Sequence, residues 1–219
     1  MANRVYLSPS SQWANTYAAG DTNEGIVCGQ IAVLTQQALE RCGFETMTDT
    51  GRDSTMYKRA AQSDLWGADL HLCIHTNAFN GTMQGTRLYC LDLRGQGYAA
   101  SREIYEELRA VVPGDSDSIQ TARFYEILQT NAPCAYVEAA FHDNAEQALW
   151  IVSHKADIAE AICKGVCRYF GAFYVPRGAV YRVQVGAFLK KENAQALQKR
   201  LQELGFEAFI TETKEENNG

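Results

Sequence analysis

The chain has 219 residues, 46% of them apolar and 21% charged, an ordinary globular composition that excludes disordered, collagen-like and membrane classes. With 20 Lys and Arg against 26 Asp and Glu, the net charge is −6, and no basic run offers a footprint for nucleic acid or an anionic membrane surface. No apolar run approaches the ~18 residues that a bilayer span requires.

In chain order, residues 5–7 read as a short apolar strand that ends in Ser8, Pro9, Ser10 and Ser11. Thr22 can cap a helix running to about Cys42, with Cys28, Ile31, Leu34, Ala38 and Cys42 on its apolar side and Gly43 as a left-handed stop. Residues 44–48 read as a strand, 57–66 as a helix closed by Gly67, and 69–75 and 85–92 as two further strands. A helix over 97–111 ends at Pro113 and Gly114. Residues 135–139 form the last strand of this part. Asp143 or Asn144 then caps one long helix carrying Leu149, Val152, Ala159, Ile162, Val166 and Phe170. Strands alternating with helices favour a mixed, mostly parallel α/β sheet with helices on both faces, and ligands in such folds collect at the carboxyl ends of the strands. Those ends carry Ser10, Ser11 and Gln12, then His75 and Asn77, then Glu138 and His142.

Residues 173–179 break the pattern as a linker between a main domain (1–172) and a small module (180–219). The module reads as a βαβ unit: an alternating strand over 181–188, an amphipathic helix over 192–204, a strand over 206–211 and a polar tail. At about forty residues it is too small to be confidently stable alone. The seven cysteines, an odd number without an export signal, read as reduced and mostly buried. Cys163 and Cys167, four apart on a helix, have a spacing that could seat a metal, but packing on the helix face is the preferred reading.

Chemistry concentrates on a few residues. His71 and His75 share one face of a strand but stand about 13 Å apart along it, so one ion cannot easily take both. His75, at the strand end beside Asn77, is the better ligand, and His71 is a core histidine. Glu24 opens the first helix, where the dipole favours a carboxylate. Glu138 sits inside an apolar strand, where a carboxylate is costly unless paired or liganded, and is a candidate general base with a raised pKa. Asn144 is the expected cap of the helix that follows, and His154 reads as a residue without function. Glu24, His75 and Glu138 supply part of the set that a metal-bound water needs, three ligands and a base.

The blocks Tyr6 to Pro9, Thr22-Asn23-Glu24, Ile74-His75-Thr76-Asn77-Ala78, Gly85-Thr86, and Val137-Glu138 with Phe141-His142-Asp143-Asn144 resemble the zinc-dependent N-acetylmuramoyl-L-alanine amidases over roughly residues 4–171. The resemblance implies a six-stranded α/β sheet and hydrolysis of the lactyl amide joining N-acetylmuramic acid to the L-alanine of the peptidoglycan stem. It implies Glu24 and His75 as Zn2+ ligands and Glu138 as the group acting on the metal-bound water. The family's first ligand is a histidine after strand one, and here that position is Ser11. The candidate replacements are Gln12, an amide suiting zinc less well than imidazole, a swing of His142, or an extra water completing a weak site. Asn77 and His142 are the expected substrate contacts.

Residues 181–188 with the following helix and strand look like the first half of a SPOR repeat, a module associated with peptidoglycan glycan strands. The other half could come from a second copy in a homodimer; the bland reading is a small unit packed on the catalytic domain. With no secretory leader at its start, the expectation is a lytic enzyme made in the cytoplasm and released by holin pores or lysis, as for a phage endolysin. The expected partner is peptidoglycan, with no nucleic acid and no membrane. Two rival readings stay open: a non-catalytic wall-binding protein on an amidase scaffold, and a zinc peptidase of the stem peptide.

Overall fold

The computed structural model describes residues 2–115, 118–178, 183–206 and 208–211. They divide into two units, 1–177 and 178–219. No helix among them is long and apolar enough to cross a membrane.

The first unit is built on one six-stranded sheet. Its strands are β1 (Arg4–Pro9), β2 (Glu45–Thr48), β3 (Leu70–Asn77), β4 (Arg87–Cys90), β5 (Ser118–Thr121) and β6 (Cys134–Phe141), in the order β2-β1-β3-β6-β4-β5. All neighbours are parallel except β4 and β6, which run antiparallel. The helices are α1 (Glu24–Arg41), α2 (Met56–Trp66), α3 (Gln96–Leu108), α4 (Tyr125–Gln129), α5 (Ala145–Ser153) and α6 (Lys155–Phe170).

Alternation along the three central strands sorts the two faces. Val5, Leu7, Leu70, Leu72, Ile74, Ala135, Val137 and Ala139 enter one continuous core with α1, α3 and α6. Gly165 makes the α3–α6 approach possible, because a Cβ there would stand 2.4 Å from Ile104 Cα. The opposite residues carry polar groups in rows set by the register: Tyr6–His71–Cys134, Ser8–Cys73–Tyr136, and the row of His75–Glu138–Arg87. Helices α2 and α4 lie on this second face, supplying Arg59 and Glu126.

Several elements differ from the sequence expectation for local reasons. The cap of α1 is Asn23, whose side chain accepts from Ile26 N, rather than Thr22, whose backbone carbonyl instead accepts from Tyr17 N. The expected long C-terminal helix is two helices that meet at His154, and Leu149 is left exposed. At that break the imidazole Nδ1 lies 2.9 Å from both Trp150 O and Ser153 Oγ. Asn144 caps α5, accepting from Glu146 N and Gln147 N. The short β5 and the five-residue α4 gave no periodic signal, being only about one turn or a few residues long.

The second unit contains α7 (Lys191–Glu203). The strands expected on either side of it are absent among the described residues: 183–188 and 208–211 make no ladder, while Tyr181, Arg182 and Glu207 lie outside the described residues. A lone pair of strands has little stability of its own, and α7 buries none of its residues. Gln198 Nε2 and Gln202 Nε2 both donate to Ala208 O, at 2.9 and 3.3 Å, and tie the helix to the segment that follows.

Candidate active site

The site forms where β1, β3 and β6 end and α1 begins. Glu24 is the first residue of α1 and is 1% exposed. Its Oε1 lies 2.9 Å from His75 Nδ1, and its Oε2 accepts from Asn15 Nδ2 at 2.8 Å. Burial works to raise the Glu24 pKa, but the hydrogen bonds from His75, Asn15 and Ser10 outweigh it and hold the carboxyl below the ordinary glutamate range. The Gln12 amide lies 3.4 Å from the same His75 nitrogen, and its Oε1 accepts from Asn15 Nδ2 at 3.0 Å. Asn15 thus fixes both Gln12 and Glu24 around His75 Nδ1. Gly25 leaves room for this loop, since a Cβ there would stand 2.7 Å from the Trp13 ring.

A carboxylate only accepts, so without a metal Nδ1 is the donor of this pair, and an ion shared by Glu24 and His75 would take the place of that proton; Nε2 is the other ring nitrogen. That Nε2 is buried without a hydrogen-bond partner. The ring is held in place by stacking on Tyr136, at 4.5 Å between centroids. Glu138 pairs with His75 in the β3–β6 register and with Arg87 in the β4–β6 register. Its Oε2 is also enclosed without a partner. Burial, and then the charge of Glu24, push its pKa well above the ordinary value, with Arg87 opposing.

Other sequence candidates go elsewhere. Ser11, at the family's first-ligand position, accepts from Arg59 Nη2 at 3.5 Å. His142 is buried, its Nδ1 within 2.9 Å of Thr76 O and 3.0 Å of Thr76 Oγ1, and it stacks on Tyr17 at 5.1 Å. That bonding braces the β3 end, so His142 does not complete the Gln12–Glu24–His75 cluster. Asn77 follows a register shift on β3, and its Nδ2 is enclosed without a partner. His71 is a core histidine, with Nε2 3.2 Å from Glu126 Oε1 and its ring stacked on Tyr6 at 5.3 Å.

Sequence reading missed the network around His71. Ser8 Oγ donates to Glu126, Arg59 Nε donates to Ser8 Oγ at 2.8 Å, and Arg59 Nη1 donates to Ser54 O at 2.8 Å. Burial would raise the Glu126 pKa, but the bond and charge of His71, then Ser8 and Arg59, lower it. A buried glutamate in a short helix was the one available signal, and its partner lies 55 residues away in the chain.

The donors fit a divalent ion of the zinc class. Imidazole and carboxylate suit zinc, and the Gln12 amide, turned over, would present its oxygen to the same point. Two enclosed acceptors without donors, His75 Nε2 and Glu138 Oε2, also call for a cation or protons nearby.

A paired glutamate and imidazole at the strand ends, with a second, half-buried carboxyl in the next strand whose Oε2 is enclosed without a partner, is the equipment of a hydrolase that handles a water proton. The chain belongs to the N-acetylmuramoyl-L-alanine amidase family, whose profile matches residues 13–168, and a SPOR domain profile matches residues 168–219. It is 28% identical over 218 residues to N-acetylmuramoyl-L-alanine amidase CwlM of Bacillus licheniformis, covering 94% of this chain and 84% of that one. It is 24% identical over 214 residues to a sporulation-specific N-acetylmuramoyl-L-alanine amidase of Bacillus subtilis (strain 168), again covering 94% and 84%. The catalytic domain of CwlV, an amidase from Bacillus (Paenibacillus) polymyxa, superposes with a TM-score of 0.69 at 17% identity over 79% of this chain and 100% of that one. AmiC2 of Nostoc punctiforme also gives 0.69, at 19% identity over 77% and 97%.

Proposed function

We propose that this chain hydrolyses the amide between N-acetylmuramic acid and the L-alanine of the peptidoglycan stem, using zinc held by Glu24, His75 and Gln12. The observation that carries the reading is Glu138, a half-buried glutamate in register with His75 whose enclosed Oε2 has no partner. Zinc in that position would polarise the scissile carbonyl and acidify water. Glu138 would be the group that takes the water proton and returns it to the departing alanine nitrogen, a general base turned general acid. Asn15 holds Glu24, Glu24 holds the His75 ring, and Tyr136 keeps that ring from turning. Asn77, at the end of the same strand as His75, is the proposed contact for the stem peptide.

The C-terminal unit belongs to the same reading as an anchor on glycan strands, supported by the SPOR match. Exposed Val183, Val185 and Phe209 give it an apolar surface that a second copy could also cover. The setting we propose is a lytic enzyme acting on the wall after release from the cell in which it is made.

Digestion of purified peptidoglycan tests the reaction. The expected products are stems with a free amino-terminal alanine and glycan with intact muramic acid, and release stops with EDTA. Cleavage inside the stem would instead indicate a peptidase. The Ser11–Arg59 contact favours a second reading, because it places a guanidinium where the family has a ligand. A wall-binding protein without hydrolysis then follows, and it would pellet with sacculi while releasing no amino groups.

A further inference from the structure

Away from the catalytic face, the end of α1 meets α6 at three thiols. Cys42 caps α1, and Cys163 and Cys167 stand one turn apart on the same side of α6. The three sulfurs lie within 4.8 Å of one another, with Cys42 Sγ 3.6 Å from Cys163 Sγ. Cys163 and Cys167 are buried, while Cys42 is partly exposed.

The segment after α6 closes on this group. Val175 N–H donates to Cys42 Sγ at 3.3 Å, and Arg41 Nε donates to Val175 O at 2.8 Å. Arg41 also pairs with both oxygens of Glu160, at 2.9 and 2.7 Å, and Tyr174 OH donates to Glu160 at 2.6 Å.

Two thiolate ligands about 2.3 Å from a tetrahedral ion stand about 3.8 Å apart. The Cys42–Cys163 separation is already close to such an edge. The backbone N–H aimed at Cys42 Sγ is the kind of outer contact that orients a sulfur ligand. We propose that Cys42, Cys163 and Cys167 form a thiolate site for a thiophilic metal ion of the zinc class, which ties the end of α1 to α6. Binding a divalent ion sends three thiol protons to solvent and leaves a formal charge of −1 beside the Arg41 guanidinium. The fourth position falls to water, with Cys42 as the exposed way in. The other sulfur group, His71 with Cys73 and Cys134, is fully buried, with no exposed way in, and one of its imidazole nitrogens, Nε2, is already bonded to Glu126.

The test titrates the reduced, metal-stripped full chain with Co2+ and reads the sulfur-to-cobalt charge-transfer absorption. Gln12, Glu24 and His75 contain no sulfur, so the catalytic site adds nothing to this band. The expected result is one band-forming ion per chain, bleached by Zn2+, lost in Cys42→Ser and kept in Cys73→Ser. Absence of the band, or a band that Cys42→Ser leaves unchanged, overturns the site. A measurement on the unaltered chain covers the case in which a variant fails to fold. Zn2+ should slow alkylation of Cys42 several-fold by peptide mass analysis, and an unchanged rate overturns the proposal.

Discussion

The two faces of the central sheet use the same strands for opposite purposes. On one face Leu72, Ile74 and Val137 are fully buried against α1, α3 and α6 and have no polar demand to meet. On the other, every second residue carries a group that must be bonded: Ser8 and His71 through Glu126, His75 through Glu24, and Glu138 only in part. The first face stabilises by burial of area, at roughly 25 cal/mol per Å². The second gains little net stability from its bonds but loses much if one is broken. The lesson is that the site is built on strands whose polar face is left incompletely satisfied, at His71 Nδ1, His75 Nε2, Asn77 Nδ2 and Glu138 Oε2 among others.

The sharpest way to break this contrast is Glu138→Gln. Turnover on peptidoglycan should fall by about 10³-fold, measured as released amino groups per mole of folded protein. On the apolar face, Leu72→Ala should cost about 3 kcal/mol in urea unfolding, while activity per folded molecule stays unchanged. Glu126→Gln should cost about 1–3 kcal/mol at pH 7, because His71 and Arg59 lose a charged partner.

The pH dependence of that loss follows from the lowered Glu126 pKa. A carboxyl whose pKa falls on folding contributes stability above its unfolded value of about 4.5, and that contribution disappears as pH falls through the folded value. The difference between wild type and Glu126→Gln should therefore be full at pH 7 and shrink below about pH 4.5, as urea midpoints at a series of pH values would show. The smallest effect expected is a gain. Glu138 has a raised pKa, so keeping it ionised costs stability at neutral pH in the metal-free protein. Glu138→Gln should raise the metal-free Tm by about 2–4 °C, equivalent to roughly 1 kcal/mol, by scanning calorimetry.

The strands that bear the site were legible in the sequence because β3 and β6 are short, largely apolar runs, in which a polar residue stands out. His75 at a strand end and Glu138 inside an apolar run were visible for the same reason. Left-handed Gly43, with φ +88°, ended α1 where expected. What could not be read was contact made across the fold. Glu126 meets His71 from a five-residue helix, and Ser11 turns to Arg59 on α2, neither of which leaves a periodic trace. His142 looked like a site residue because of its position after β6. Its bonding to Thr76 shows how a turn histidine can serve as a brace. The break at His154 was hidden because the apolar pattern continues through it.

The rows across the polar face also bear on how the chain finds its pairing. β3 and β6 are each eight residues long and lie side by side in the middle of the sheet. A slip of one residue would turn His71, Cys73 and His75 toward the helix layer and send Leu70, Leu72 and Ile74 to the opposite side. A one-residue slip in either direction would bury two imidazoles without partners and strip the apolar layer of its side chains. The residues that equip the site for chemistry therefore also favour the native pairing of β3 and β6 over a one-residue slip.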